Sequence, residues 1–403
     1  MYNTVTTIKE KFTCLFQTNP YTVAQAPGRA EIIGNHTDYN QGYALGAAIL
    51  QSTYAAVSLR DDDKILAFSE NFDTQINKIA LTDITSKNGN NWTNYVKAVT
   101  YELSKKKPVK KGFNMYITSN VPSSGGVSSS AALELVVGLS LTKLYDIKLS
   151  SLELALLCQK AENGHLVDSP CGFLDQATSA LSKKNNLLFL DFLPKKGIPI
   201  SKYEHVPIEL NKHDLSFLIV VDKNIKRNLG ESGYPERRKT CERSVPILSK
   251  LLKRKIKSLR EISVAEFEKC RKELDKLDKI MRMRVEHIVY ENQRVLDAVD
   301  ALKNDDILTF GKLLIESGRS ALELYELDEQ TPELTFLLNK ARTMKGVLGA
   351  RNMGGGFSAN ILVLLKNSHL NNFVNKLSYM YKKRYHNNLE FIRFQPAEGA
   401  YEL

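Results

Sequence analysis

A stretch rich in glycine and serine joins an alternating apolar segment to a continuous apolar one, and this junction constrains the fold more than any other feature. It reads NVPSSGGVSSSAALELVVG from Asn120 to Gly138, with two glycines and five serines before the apolar run. The segment before it, GFNMYITS, has the two-residue period of a strand that buries one face. Its apolar positions are Phe113, Met115 and Ile117. The sequence therefore predicts a strand ending at about Ser119, a turn at Pro122 to Gly126 and a helix beginning near Ser128.

This junction has the chemistry of a phosphate-binding loop. The first turn of a helix leaves backbone N–H groups unpaired and carries a partial positive charge. Glycines, which lack a Cβ atom, allow a phosphate to approach that backbone closely. A serine hydroxyl can cap the helix or ligate Mg²⁺. A plain capped turn is the alternative, and no Gly-Lys-Ser/Thr sequence follows, so any nucleotide site here differs from a Walker loop.

A second segment concentrates hydrogen-bonding side chains in the way that a sugar requires. It reads APGRAEIIGNHTDYNQGYAL and begins at Ala26. Around Gly28 and Gly34 it places five polar or charged side chains, namely Arg29, Glu31, Asn35, His36 and Asp38. Each sugar hydroxyl offers both a donor and an acceptor, so this density suits a polyol. A polar loop closed by an ordinary YNQG turn is the alternative.

Acidic residues mark a third segment, AENGHLVDSPCGFLDQATSAL, which contains Glu162, Asp168 and Asp175. Asp175 lies between Gly172 and the helical pattern QATSAL. A carboxylate beside an arginine stays ionised at neutral pH and can accept or orient the proton of a hydroxyl group. Taken singly, each of these acids is more often a surface or capping residue.

Composition and hydropathy exclude several classes of protein. No run approaches the roughly 18 consecutive apolar residues of a membrane helix, and the beginning of the chain shows no secretory signal. The five cysteines form no CxxC pair, which favours reduced thiols in a cytoplasm over disulfides or structural zinc. The net charge is +11, but the basic stretch 250–284 has the mixed charges and helical apolar spacing of a solvated helix face. We expect no membrane and no nucleic-acid partner.

The order of predicted elements indicates an α+β protein of two domains. Residues 131–145 and 149–163 have helical periodicity, and strand-like and helical segments are mixed up to about residue 205. Mostly helical segments follow, and alternating segments return near the end of the chain. A polar stretch after NLLFLDF indicates a boundary, because it contains the turn-forming residues Pro194, Gly197 and Pro199. We predict domains at residues 1–205 and 206–403.

The motifs, taken in order, resemble those of the GHMP small-molecule kinases. The chain presents APGRAEIIGNHTDYNQGYAL, VPSSGGVSSSAALE, PCGFLDQ and GGGF in that family's order. The galactokinase branch is the most similar, because GNHTDYNQGY matches its hallmark after Pro-Gly-Arg. The resemblance implies a two-domain GHMP kinase fold with the active site in the interdomain cleft. It also implies transfer of the γ-phosphoryl group of ATP to the anomeric hydroxyl of α-D-galactose, which gives galactose 1-phosphate.

The resemblance also implies roles for individual residues around the reacting groups. Asp175 matches the family's catalytic aspartate, and Arg29 matches the arginine that keeps this carboxylate ionised and faces the transferring phosphate. Positions that match sugar-contacting residues of the family are Asn35, His36, Asp38, Gly172 and Tyr234.

For the nucleotide and metal, the resemblance points mainly to the glycine- and serine-rich loop. The residues that would surround the triphosphate are Ser124, Gly125, Gly126, Val127, Ser128, Ser129 and Ser130. Ser69 matches a position that can contact the nucleotide, and Ser130 with Glu162 would hold Mg²⁺ directly or through water. The expected ligands are therefore a sugar, ATP and Mg²⁺, bound by a cytoplasmic monomer.

Several positions depart from the family pattern. Asn35 stands where a glutamate usually contacts the sugar's far hydroxyl groups, and Glu31 stands where asparagine is common. One extra residue lies between Glu162 and Asp175. After the intact GGGF segment, Ser358 and Ala359 stand where the family usually has two glycines.

These departures leave alternatives to galactose open. A kinase of the same fold acting on galacturonate, arabinose or N-acetylgalactosamine is the second hypothesis, and Asn35 is its motivation. A sensor that binds sugar and ATP without turnover is the third. Two observations count against a sensor: the SSSAA sequence is complete, and both Arg29 and Asp175 are present.

Overall fold

The structure, a computed structural model, describes residues 4–122, 126–225, 233–327, 331–355 and 359–403. This part of the chain consists of two β-sheets with helices packed against their faces, which confirms the predicted α+β class. Across the same residues, every helix is too short or too polar to cross a lipid bilayer.

The first sheet takes its strands from both ends of the chain. They are β1 (Thr22–Ile33), β2 (Tyr43–Leu59), β3 (Lys64–Ser69), β4 (Asn77–Ala80), β5 (Phe113–Ser119), β6 (Asn186–Asp191), β7 (Lys202–Pro207) and β12 (Tyr401–Glu402). Their main order is β12-β1-β2-β5-β3-β4, and the beginning of β2 pairs with β6, which pairs with β7. Only β3 and β5 run parallel among these pairs. The end of β5 therefore lies beside the end of β3, at the entrance to the glycine- and serine-rich loop.

The helices that precede or lie between the strands of the first sheet, up to β6, pack with it in the described part of the chain. They are α1 (Thr4–Phe16), α2 (Thr93–Ser104), α3 (Ser129–Leu144), α4 (Ser151–Asn163) and α5 (Leu174–Leu181). Helices α3 and α4 confirm the two helices predicted at 131–145 and 149–163. Helix α4 begins after a capping box, in which Ser150 and Glu153 satisfy each other's backbone N–H groups. Helix α3 lies at the centre and contacts β1, β2, α2 and α4, which places its first turn beside the end of β1.

Strand β5 lies where the sequence predicted it but buries both of its faces. Phe113, Met115 and Ile117 pack into the main core cluster, as their spacing predicts. Tyr116 on the opposite face is also buried, in a cluster with Ile8 and Phe12 of α1. The expectation of one buried face was wrong, because the apolar stripe of α1 covers the other face.

The second sheet has four antiparallel strands in the order β11-β8-β10-β9. They are β8 (Leu215–Val221), β9 (Val347–Asn352), β10 (Asn360–Lys366) and β11 (Glu390–Phe394). The accompanying helices are α6 (Tyr234–Leu251), α7 (Val264–Leu277), α8 (Lys279–Lys303), α9 (Ile307–Leu324), α10 (Pro332–Arg342) and α11 (Leu370–Tyr385). In α7 the buried residues are apolar, and the charged residues are exposed or half-buried. This agrees, for α7, with the prediction that the basic stretch 250–284 forms a solvated helix face.

The two sheets share a hydrophobic cluster. It combines Ile33 and Leu45 of the first sheet with Phe217 of the second and Val295 and Phe310 of helices α8 and α9. The chain passes from the first sheet to the second between β7 and β8, and the short strand β12 returns to pair with β1. The division at residues 205 and 206 stays a prediction.

Candidate active site

An ion pair between Arg29 and Asp175 joins the first sheet to helix α5. The Arg29 Nε and Nη2 atoms lie 2.8 and 2.7 Å from Asp175 Oδ1. Arg29 is 7 % exposed, whereas the Asp175 side chain is 28 % exposed. The arginine is thus fixed in the protein, and its partner carboxylate remains open to a ligand.

The glycine- and serine-rich loop is attached to the same arginine. Arg29 Nη1 donates a hydrogen bond to the Gly126 carbonyl at 2.6 Å, and the Arg29 backbone N–H donates to the Val127 carbonyl at 2.9 Å. A Cβ atom at Gly28 would lie 2.7 Å from the Val127 oxygen, so this close approach requires glycine. Ser124 and Gly125, also predicted for the loop, lie outside the described residues.

Ser128 binds the carboxylate instead of capping the helix. Helix α3 begins at Ser129, close to the predicted start, with Ser128 at the N-cap in the left-handed region at φ 57°. The Ser128 side chain makes no capping bond, contrary to the expectation for these serines. Its hydroxyl donates to Asp175 Oδ2. The unusual backbone conformation therefore turns this side chain away from the helix and toward the acid.

Ser130 and Glu162 are in contact and fit the binding of Mg²⁺. Burial raises the pKa of Glu162, although the Ser130 hydroxyl and the Cys171 thiol hydrogen-bond to it and oppose that shift. Gln176 Nε2 also donates to Glu162 Oε2 at 2.6 Å. No group of three or more His, Cys, Asp and Glu residues is arranged for a metal in the described ranges. Two oxygen ligands suit Mg²⁺, which usually takes one or two protein ligands and completes its shell with phosphates and water.

Ser69 lies at the end of β3, opposite Ile117 of β5. It is buried, and its backbone N–H donates to Asp73 Oδ2 at 2.7 Å. The next residues pair with the end of β5, since the Asn71 side chain bonds the backbone of Ser119. Ser69 therefore lies near the entrance to the loop, whereas Ser128 and Ser130 lie at its exit.

Three of the predicted sugar-contacting residues, Asn35, His36 and Asp38, follow β1 directly. His36 is buried with φ 61°, and its Nε2 atom lies 3.2 Å from the Gly355 carbonyl oxygen. Burial, together with the nearby His287 and Arg237, lowers the pKa of His36 well below its usual range. A neutral imidazole can both donate and accept a hydrogen bond.

Asp38 and Gly172 lie in contact. A Cβ atom at position 172 would lie 2.2 Å from Asp38 Oδ2, so any larger residue there would displace the Asp38 carboxylate. Burial raises the pKa of Asp38 to about 6, and the carboxylates of Glu31 and Asp175 add to that shift. Both of these acids therefore lie close enough to Asp38 to act on it electrostatically. Tyr234, the remaining predicted sugar residue, begins helix α6, and its side chain lies outside the described part of the chain.

Helix α8 anchors the segment after β1 that carries His36 and Asp38. The sequence alone did not predict this contact. Glu291 Oε1 accepts hydrogen bonds from the backbone N–H groups of Gly34 and Asn35, at 3.1 and 3.2 Å. His287, one turn earlier, lies 3.3 Å from the Asn35 carbonyl oxygen. Burial acts to raise the pKa of Glu291, but the charge of Arg294 and other neighbours outweighs it and lowers that pKa. The spacing of His287 and Glu291 indicates one helix face, but their contact with residues 34–35 is visible only in three dimensions.

Replacing Glu291 with glutamine should weaken sugar binding. An amide has one acceptor oxygen where the carboxylate has two, so an N–H group would face either Arg294 or the N–H groups of residues 34 and 35. We expect the KM for the sugar to rise about tenfold, from the loss of a buried hydrogen bond, with the KM for ATP unchanged. Steady-state kinetics measure both constants. Glu286→Gln on the same helix is the control, because Glu286 pairs with Arg271 and Arg282; equal changes in both KM values for Glu291→Gln would contradict the assignment.

Comparison with known proteins gives one consistent result. Residues 94–183 match the model of the GHMP kinases N-terminal domain, and residues 10–59 match the galactokinase galactose-binding signature. The chain is 33 % identical to a galactokinase of Clostridium acetobutylicum over 398 residues, which is 98 % of each chain. It is 34 % identical to a galactokinase of Clostridium perfringens over 400 residues, 98 % of this chain and 99 % of the other.

Solved structures agree with these sequence matches. The crystal structure of Lactococcus lactis galactokinase complexed with galactose superimposes with a TM-score of 0.87 at 31 % identity, and the match covers 100 % of both chains. The Methanococcus jannaschii mevalonate kinase superimposes with a TM-score of 0.64 at 16 % identity, over 93 % of this chain and 98 % of that one. At that identity the second match shows a shared fold alone.

Proposed function

Because the chain belongs to the galactokinase family of GHMP kinases, we propose that it transfers the γ-phosphoryl group of ATP to the anomeric hydroxyl of α-D-galactose. The products are galactose 1-phosphate and ADP. The observation that carries this proposal is the half-exposed Asp175 carboxylate, held by the buried Arg29 beside the glycine- and serine-rich loop. This arrangement supports the role of Asp175 as the acceptor of a hydroxyl proton beside the candidate phosphate site.

We infer different roles for the two carboxylate oxygens of Asp175 from their hydrogen-bond partners. A carboxylate offers roughly four lone-pair sites. Both N–H groups of Arg29 use Oδ1, and Ser128 uses one site on Oδ2. Among contacts with described residues, one site on Oδ2 remains, and we infer that it accepts the sugar hydroxyl.

The chemical step follows from this arrangement. The anomeric oxygen forms a bond to the γ-phosphorus while the bond to the β,γ-bridging oxygen breaks, and ADP leaves with that electron pair. The hydroxyl proton moves to Asp175 Oδ2. Arg29 stays positively charged throughout, so it stabilises the carboxylate before the transfer and the negative charge on the phosphoryl group during it. Catalysis of this kind depends mainly on positioning and electrostatics.

The phosphate side of the site would be built from the start of α3 and from the metal ligands. The unpaired N–H groups of the first turn of α3 favour a bound phosphate. Ser130 and Glu162 are the residues that would hold Mg²⁺, which neutralises phosphate charge when bound. Ser69 would contact the nucleotide from β3.

The sugar side would be built from the residues after β1. His36 and Asp38 supply hydrogen-bonding groups, and the lack of a side chain at Gly172 lets the Asp38 carboxylate lie against the backbone there. Asn35 and Tyr234 complete the proposed set. A monomeric state and a cytoplasmic location stay predictions from the sequence.

A panel of sugars tests the proposed function directly. Coupled release of ADP from ATP is measured with galactose, galacturonate, arabinose and N-acetylgalactosamine, with Mg²⁺ and again with excess chelator. We expect kcat/KM for galactose to exceed the others by about a hundredfold or more, because buried polar groups left unpaired by a wrong sugar are costly. Chelation should stop turnover. Transfer to a uronate without transfer to galactose, or binding of sugar and ATP without any turnover, would refute the proposal.

A further inference from the structure

A buried ion pair lies beneath the proposed sugar site. Arg351 Nη2 of β9 lies 2.9 Å from Glu31 Oε1 of β1, and the two side chains are 0 % and 7 % exposed. Glu31 is the one acid within ion-pair distance of Arg351 among residues that the structure describes. Removing one partner of such a pair leaves the other charge buried and uncompensated, which strongly destabilises a protein.

Asn35 is held by the same pair. Its Nδ2 group donates to Glu31 Oε1 at 3.3 Å and to the Gly354 carbonyl at 2.5 Å. Its Oδ1 atom accepts from Asn352 Nδ2 at 3.1 Å. The Nδ2 group thus faces two acceptors, and the Oδ1 atom faces one donor. This pattern fixes the orientation of the amide. Both N–H bonds of the amide are therefore used within the protein, and the described residues leave one acceptor position on Oδ1.

From these contacts we infer that Glu31, Asn35 and Arg351 act as one selectivity unit, in which the carboxylate at 31 requires a neutral residue at 35. The inference rests on the proposed function, because it concerns the sugar bound at the same site. The unit carries one negative and one positive charge, so it is neutral as a whole. It presents to the sugar a single acceptor of fixed direction.

An acid at position 35 conflicts with this arrangement on two sides. A carboxylate there would face Glu31 Oε1 and the Gly354 carbonyl, and both positions now receive N–H bonds from the amide. Opposed acceptors in a buried site lose both hydrogen bonds and repel each other. The conflict is electrostatic, so it is relieved when the charge at 31 is removed. A carboxylate at 35 could then compensate Arg351 in place of Glu31.

The unit also restricts the sugar. A group that contacts Asn35 Oδ1 must donate a hydrogen bond, which a neutral hydroxyl does and a uronate carboxylate does not. Burial, together with the carboxylates of Glu31 and Asp175, raises the pKa of Asp38, so a further carboxylate beside Asp38 is disfavoured. The structure thus favours a neutral hexose over a uronic acid.

Four proteins test the coupling: the wild type, Glu31→Gln, Asn35→Glu and the double variant Glu31→Gln/Asn35→Glu. Each single variant should lower kcat/KM for galactose about thirtyfold, and the double variant should recover at least about tenfold over Asn35→Glu, as expected for two groups in contact. The KM for ATP should stay constant across the set. Melting temperatures should show the same pattern, with the double variant above both single variants. The wild type should phosphorylate galacturonate at least about a hundredfold less well than galactose.

The matched control is Gln41→Glu, which adds a carboxylate to the same segment away from Glu31 and should change none of these values. Additive effects of the two substitutions on kcat/KM and on melting temperature would overturn the inference, as would comparable turnover of galacturonate and galactose by the wild type. A wild type that phosphorylates no sugar would refute the proposed function instead. In that case the melting temperatures still decide whether residues 31 and 35 are coupled.

Discussion

Asp175→Ala is expected to lower kcat by about 10⁴-fold, the upper range for removing a general base, while the protein stays folded. The substitution removes the oxygen that would accept the sugar's proton. It also removes the partner that orients Arg29 and Ser128. The Asp175 side chain is 28 % exposed, so its loss leaves no buried cavity. The buried Arg29 loses its partner charge, so the melting temperature should fall while the core remains folded. Single-turnover transfer from ATP to galactose measures the effect, and thermal unfolding checks the fold.

Two further variants separate chemistry from structure at this position. Asp175→Asn keeps the size of the side chain but offers one acceptor oxygen without a charge, so it should be nearly as inactive as alanine. Asp168→Ala is the control, because Asp168 is an acid of the same segment that lies 4.0 Å from Lys87 at the surface. A folded Asp175→Ala protein with near-normal turnover would remove Asp175 from the catalytic role.

Arg29→Met should lower kcat/KM by about 10³-fold, a loss comparable to that of an oxyanion donor. Methionine preserves much of the length of the side chain but none of its three hydrogen bonds. Asp175 then loses two N–H donors and the Gly126 carbonyl loses one, so the carboxylate and the loop are no longer held in one geometry. The transferring phosphate also loses a positive charge. Steady-state kinetics with galactose and ATP measure the change.

If the Arg29→Met variant is unstable, Arg29→Lys provides a second test of the role of Arg29 in phosphoryl transfer. Lysine retains the charge, but a single ammonium group cannot reproduce the planar guanidinium contacts, so activity should lie between those of the wild type and Arg29→Met. Arg60→Met is the matched control, because Arg60 makes a similar pair with Asp62 in the turn between β2 and β3. If Arg29→Met retained wild-type activity, or if Arg60→Met were equally damaging, Arg29 would have no special role in transfer.

Local sequence patterns predicted those parts of the site that depend on near neighbours in the chain. The two-residue period before Ser119 and the apolar run after Ser130 predicted a strand and a helix on either side of the loop, and β5 and α3 are found there. The order of motifs also indicated that Arg29 and Asp175 belong to one site. The structure brings these side chains to within 2.8 Å although they are 146 residues apart.

Contacts between distant segments could not be predicted in this way. The burial of Tyr116 depends on α1, and the direction of Ser128 depends on a left-handed backbone conformation and on Asp175. The anchoring of residues 34–35 by Glu291 joins positions more than 250 residues apart. Neither propensity nor periodicity contains information about such pairs, because both describe only a short window of the chain.

By itself, then, the sequence determined the local elements, the class of fold and the chemical types of side chain offered to a sugar and a phosphate. These follow from periodicity, turn residues and side-chain chemistry, which act over a few positions. Only the tertiary structure decided that Asn35 is bound to Glu31 and Gly354, and that the charge of Arg351 compensates that of Glu31. The charge and hydrogen-bonding capacity of a buried residue depend on the neighbours that folding brings to it, and those neighbours come from distant parts of the chain.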